Sequence, residues 1–137
     1  MTEVSPENAT ALKTEIRNRD ALREFNLWIH DYCSHQMYAG DLDAWVLRMS
    51  KRVLRFFESK HWNEALSSGQ DRFLPALSGL VALGIRAGLL GPGSGVFVVR
   101  GTAPFAEGAE IQDFTSNEKR YVSQADLIAF VDMRDVP

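Results

Sequence analysis

The segment Gly91-Pro92-Gly93-Ser94-Gly95 constrains this chain more than any other. Three glycines and a proline within five residues cannot extend a helix: glycine loses the most backbone entropy there, and proline has no amide hydrogen to donate. The segment is therefore a connection, and the hydrophobic period changes across it. Before it, apolar residues recur at intervals of three and four. After it, Val96 to Arg100 is the β-branched and aromatic run of a buried strand. The expectation is an α+β chain with three to four N-terminal helices over about residues 5–90. A small antiparallel β region of about residues 95–137, with a C-terminal helix, completes it. A chain of 137 residues is the size of one domain, so a single domain spanning 1–137 is expected. Such a chain can bury a core without a metal or disulfide staple.

On the helical side, Ser5-Pro6-Glu7 is a start signal, with a capping hydroxyl, a proline at the first position and an acid near the positive end of the dipole. Ala9, Leu12 and Ile16 then share a face. Leu22, Phe25, Ile29, Tyr32 and Cys33 form a second stripe on nearly the opposite side, so the helix either breaks near Asp20 or serves two neighbours. Leu27 and Trp28 lie off that stripe and point to burial on more than one side. The clearest helical pattern follows Gly40-Asp41: Leu42, Trp45, Val46, Met49, Val53, Phe56 and Phe57 fall on one face of a helix ending near Ser59. His61 to Gln70 reads as a connection. Asp71 is expected to cap a third helix, with Pro75 near its first turn. Phe73 to Leu90 is nearly continuously apolar, but Arg86, Pro75 and its glycines make it a buried central helix and not a membrane span.

Beyond the glycine segment, Ala109 to Phe114 and Lys119 to Val122 can pair as a hairpin across Thr115-Ser116-Asn117-Glu118. Ser123 and Asp126 resemble a helix start for Gln124 to Met133, with a strand from Leu127 to Asp132 as the competing reading.

The chemistry on offer is sparse. The glycine segment lacks the order of a phosphate loop, because a helix ends and a strand begins there. His30, Cys33 and His35 are the only cluster of soft ligands. On a helix His35 points away from the other two, so no metal site is expected. Cys33 is the single cysteine, so no internal disulfide can form and a reducing, cytoplasmic compartment fits. Met1 to Thr10 has no basic stretch followed by an apolar run, so no secretory signal is expected. Asp41, Asp71 and Asp126 serve as helix caps, and no carboxylate pair stands out as acid and base. No cofactor, catalytic residue or membrane contact is expected.

Two surface features remain. Arg48, Lys51, Arg52 and Arg55 gather on one side of the second helix, where they can meet phosphates or an acidic partner, or form an ordinary solvated face. Gly84 and Gly88, four apart, let another backbone approach the third helix closely. The stretch Leu80 to Val99 is similar to the recognition-helix-to-wing passage of winged-helix regulators. Gly40-Asp41-Leu42-Asp43-Ala44-Trp45 is similar to a segment of the NTF2-like fold, which then continues into a long curved sheet. The function expected from the residues is a non-enzymatic protein–protein interaction or adaptor module that binds a protein or itself. It would use Trp28 and the Gly84/Gly88 face. The alternative is a nucleic-acid-binding domain using the basic helix face, with net charge −3 arguing against wholesale nucleic-acid coating.

Overall fold

A computed structural model describes residues 24, 27, 28, 31–33 and 42–137. The chain divides into two compact units, Met1–Asp41 and Leu42–Pro137. In the first, Glu24, Leu27, Trp28, Asp31 and Tyr32 are helical. The expected start at Ser5 and the breaks at Asp20 and Gly40 lie outside the described residues.

The second unit overturns the helical reading of residues 42–59. Strand β1 (Ala44–Arg48) and strand β2 (Val53–Lys60) form an antiparallel hairpin, in register from Ala44 opposite Phe57 to Arg48 opposite Val53. A single 3-10 turn, Met49–Lys51, and Arg52 in the left-handed region (φ 55°) reverse the chain. The residues suit strands as well as helices: β2 is rich in valine and phenylalanine, and it buries Val53 and Phe57 on one face with Phe56 packed on the other. A strand covered on both faces shows no clean alternation, which is why its apolar residues can be fitted to a helical period.

Helix α1 (Ser68–Arg86) follows. Its cap is Ser67, not Asp71: the Ser67 hydroxyl accepts from the Gln70 amide, and the Gln70 side chain accepts from the Ser67 amide. Asp71 lies in the first turn, where its charge still favours the dipole. Pro75 lies inside the helix. The helix ends at Ala87, with Gly88 at φ 76°, a conformation glycine adopts without a Cβ clash. The chain then crosses to strand β3 (Gly95–Arg100), which lies parallel to β2 from Arg55 opposite Gly95 to Lys60 opposite Arg100. At the crossing the Gly91 amide donates to the Arg52 carbonyl (2.8 Å), and a Cβ on Gly91 would collide with the Lys51 carbonyl oxygen. The glycine segment is thus a close approach of two backbones as well as a helix stop.

Strands β4 (Ala109–Asp113) and β5 (Lys119–Val122) continue as an antiparallel meander. Helix α2 (Gln124–Val131), capped by the Ser123 hydroxyl, decides the C-terminal alternative in favour of a helix. The architecture is a five-stranded mixed sheet in the order β1-β2-β3-β4-β5, with two described helices after its first hairpin. The expected three to four N-terminal helices ahead of a small antiparallel region are not what the sequence forms.

The core lies on both sides of the sheet. On one face Leu74 and Val81 of α1 meet Val96 and Val98; on the other, Leu127 and Phe130 of α2 meet Phe57, Phe97, Val99 and Ile111. Strand β3 is buried on both faces and central in the sheet, so it cannot be the exposed wing that a winged-helix likeness would require.

Candidate functional site

The basic residues do not share a face. Arg48 ends β1, Lys51 and Arg52 are exposed in the hairpin turn, and Arg55 is buried in the middle of β2 with 2% of its surface exposed. Period two puts Arg48 and Arg55 on the α2 side of the sheet, opposite Val53 and Val46 respectively. Arg55 is held inside the molecule. Its Nε donates to the Gly93 carbonyl (2.8 Å), and Nη1 donates to the Phe130 carbonyl (2.9 Å) and to Asp135 Oδ1 (2.9 Å). Nη2 donates to Asp135 Oδ2 (2.8 Å). The guanidinium also lies 4.3 Å from the Phe130 ring centre. The bidentate pair with Arg55 holds the Asp135 carboxyl below its ordinary value, the Arg55 hydrogen bonds being the main cause. Arg48 adds a second tie, from Nη1 to the Val136 carbonyl (2.6 Å). These two arginines fasten the C-terminal segment to the sheet.

Beside this clamp, on the α2 face, lies an open depression of about 510 Å³. Phe97 and Phe130 form its floor, and Asp113, Lys119 and Arg120 stand on its rim. Its hydroxyls are already engaged. Ser94 Oγ donates to the Gly91 carbonyl and accepts from the Leu54 amide, while Thr115 Oγ1 is 3.2 Å from Ser78 Oγ. Asp113 Oδ1 accepts from the Thr115 amide, closing the β4–β5 turn. The lining contains no histidine or cysteine, and neither hydroxyl sits against a carboxylate. The depression therefore offers an apolar floor with a rim of mixed charge, not an activated nucleophile. Among the described residues no three His, Cys, Asp or Glu side chains gather to share a metal ion. His30 and His35 lie outside the described residues. No described helix is long and apolar enough to cross a membrane.

The two glycines of the pair stand in different settings. A Cβ on Gly84 would meet the Leu90 side chain at 3.0 Å, so that space is filled from within the same chain. Gly88 is the left-handed residue at the end of α1. Trp28 is 53% exposed and stacks on Tyr32 with ring centres 5.5 Å apart.

Among the described residues, an exposed apolar surface lies in the run that reads as a buried central helix. Leu74, Ser78 and Val81 of α1 are buried, but Phe73, Leu80 and Leu83 are exposed, Leu80 by 65%. On an ideal helix Phe73, Ala76, Leu80, Leu83 and Ala87 fall within roughly 80° of one another, centred roughly 140° from the buried line. Two hydrogen bonds fix which way this stripe points. The Gln70 side chain donates to Glu58 on β2, whereas Ser78 meets Thr115 beyond β4. Going round the helix from Ser78 through Gln70 and onward brings Phe73 and Leu80 to the flank nearest β1. On that same face of the sheet β1 presents Trp45, 65% exposed, and Leu47. Met49 in the hairpin turn and Leu89 after α1 are exposed at the same end of the unit, where Gly91 meets Arg52. A periodicity count over Phe73–Leu90 could not reveal this, since nearly every position there is apolar.

The opposite flank of α1 is polar: on the same sheet face β4 and β5 carry Glu110, Gln112, Lys119 and Tyr121. Arg100 joins its neighbours Gln112 (2.8 Å) and Glu110 (3.7 Å) there, and Tyr121 stacks on Trp62. The asymmetry sets the apolar flank apart from ordinary scattered surface hydrophobics. No protein family, curated protein or solved structure matches the chain.

Proposed function

We propose that this protein is a non-enzymatic protein-interaction module that binds another protein chain through the apolar flank formed by β1 and α1. The observation that supports this reading is the one-sided exposure of Trp45, Leu47, Phe73, Leu80 and Leu83 on a single face and edge of the sheet. Contiguous apolar surface of this size, bordered by polar residues, is what protein interfaces bury. A basic helix face, on which the nucleic-acid alternative rested, does not form, because Arg55 is committed to Asp135 and two backbone carbonyls. The aromatic depression on the other face is the weaker candidate, since its polar groups are bonded to one another or stand in solvent.

The test is site-specific photo-crosslinking of the full chain in its native cell. A photoreactive side chain at Leu80 is expected to give a discrete protein adduct, and one at exposed Glu107, in the loop between β3 and β4, is not. Equal labelling at both positions, or no adduct at Leu80 with any protein, this chain included, would refute the reading.

A further inference from the structure

Within the second unit, the sheet has room on its α1 face for a second helix. Five strands about 4.8 Å apart make a layer roughly 20–24 Å wide, and one helix covers about 10 Å of it. Helix α1 lies over β3, and on the polar side Glu110, Gln112, Lys119 and Tyr121 need no cover. On the other side β1, the edge strand, carries Trp45 and Leu47, both exposed. The helix itself is apolar in two directions besides its own core. Leu83 and Ala76 point away from the sheet, and Phe73 and Leu80 point along the layer toward the β1 side.

Resting on the protein-binding reading above, we infer that the occupant of this flank is a second copy of the same chain, related by a two-fold axis. Each copy lays its α1 over the β1–β2 half of the other sheet. The two helices then lie side by side in one layer between two sheets. Phe73 and Leu80 meet their counterparts across the axis, while Leu83 with the small Ala76 rests on the partner's Trp45 and Leu47. A single isologous arrangement uses both exposed directions of α1 and the bare part of the sheet at once, as a self-complementary patch must. The polar flank of α1 stays outside it.

The area is sufficient. At roughly 150–250 Å² for a fully exposed large side chain, the exposed fractions of Trp45, Leu47, Phe73, Leu80 and Leu83 amount to about 550 Å² on each copy. Met49 and Leu89 at the rim raise this to about 800 Å², the share one partner contributes to a standard interface. Even the smaller figure, if fully buried, doubles to about 1,100 Å², above the roughly 1,000 Å² that a biological interface should clear.

The experiment is sedimentation velocity on the purified full chain from about 1 to about 100 µM, at low and high salt. The expected species has twice the 15.4 kDa of one chain, and salt does not dissociate it. Leu80→Glu and Leu47→Lys, both at exposed positions, are expected to halve the mass while leaving the circular dichroism spectrum intact. Ile128→Glu, also exposed but on α2, leaves the mass unchanged. A single-chain mass throughout, or a dimer that survives both flank substitutions, would overturn the inference. A monomer that nevertheless crosslinks to a different protein through Leu80 overturns the self-association alone and leaves the protein-binding reading standing.

Discussion

Replacing Arg55 by methionine tests whether the buried arginine is a structural clamp or a displaced member of a binding face. Methionine keeps much of the volume and the contact with the Phe97 and Phe130 rings, so the loss is mainly polar. The Phe130 carbonyl, bonded in a buried setting, and the Gly93 carbonyl lose their donor. An unsatisfied buried group such as the Phe130 carbonyl costs about 1–3 kcal/mol, the part-buried Gly93 carbonyl adds less, and the lost stacking on Phe130 adds about 0.5–1 kcal/mol. Asp135, with its side chain 49% exposed, can turn to water and adds little. The expected loss is about 2–4 kcal/mol in urea denaturation monitored by tryptophan fluorescence. Asp135→Asn keeps an acceptor and half its solvent contact, so it costs less, about 1–2 kcal/mol. Because the two residues share one interaction, Arg55→Met added to Asp135→Asn costs about 1 kcal/mol less than Arg55→Met alone. The pH dependence has a definite sign. Asp135 is held below its ordinary value in the fold, so its contribution is complete above the unfolded Asp value of about 3.9 and fades as pH falls through the lower folded value. The gap between the parent and Asp135→Asn is therefore widest at neutral pH and narrows below about pH 4. An Arg55→Met protein within about 0.5 kcal/mol of the parent, or a gap constant from about pH 7 to about pH 3, would refute the clamp.

Two further predictions use the backbone. Gly79 lies in α1 with nothing within 4 Å of an added methyl, so Gly79→Ala raises stability by about 0.5–1 kcal/mol in thermal unfolding; Gly91→Ala forces a methyl onto the Lys51 carbonyl and costs more than about 2 kcal/mol or prevents folding. Arg52→Gly has opposite signs in the two readings of residues 42–59. In the hairpin it relieves a left-handed residue of about 1 kcal/mol of strain, whereas inside a helix it would cost about 1 kcal/mol, so denaturation midpoints decide the direction.

What is legible in the sequence is local and C-terminal. The strand expected at Val96–Arg100 is β3 at Gly95–Arg100, and the Lys119–Val122 strand falls where its residues place it. The Ser67/Gln70 capping box is visible as Ser-x-x-Gln, but Asp71 nearby is also a good cap by residue type, and preferring it moves the helix start by three residues or more. The β1–β2 turn leaves no signal to read. Met49-Ser50-Lys51-Arg52 contains none of the glycine, asparagine or aspartate that usually marks a reversal, and it is an arginine that takes the left-handed conformation. Nor could sequence spacing show that Arg55 would reach Asp135, since the partners are 80 residues apart and come together only through the sheet and α2.

The larger misreadings share one physical cause, and it bears on function. Residues 42–57 resemble one helical face only when Trp45 and Met49 are counted with Val53 and Phe57 as core. Residues 73–90 look buried all round only when Phe73, Leu80, Leu83 and Leu89 are counted with Leu74 and Val81. Yet Trp45, Met49, Phe73, Leu80, Leu83 and Leu89 are all exposed. A hydrophobic pattern reports where a chain is to be kept from water, not which contact will do so. Residues that await a partner are written in the same code as residues of the core, and they blur the period that would otherwise separate strand from helix. Removing those six from the count leaves α1 with a single buried line through Leu74, Ser78 and Val81, and leaves the hairpin with its fully buried residues on β2 and the half-buried Val46 of β1 beside them. The conflict between local pattern and fold is thus concentrated at one surface. Such conflicts gather where function is imposed on folding, and this one coincides with the flank of β1 and α1 proposed to bind a second copy.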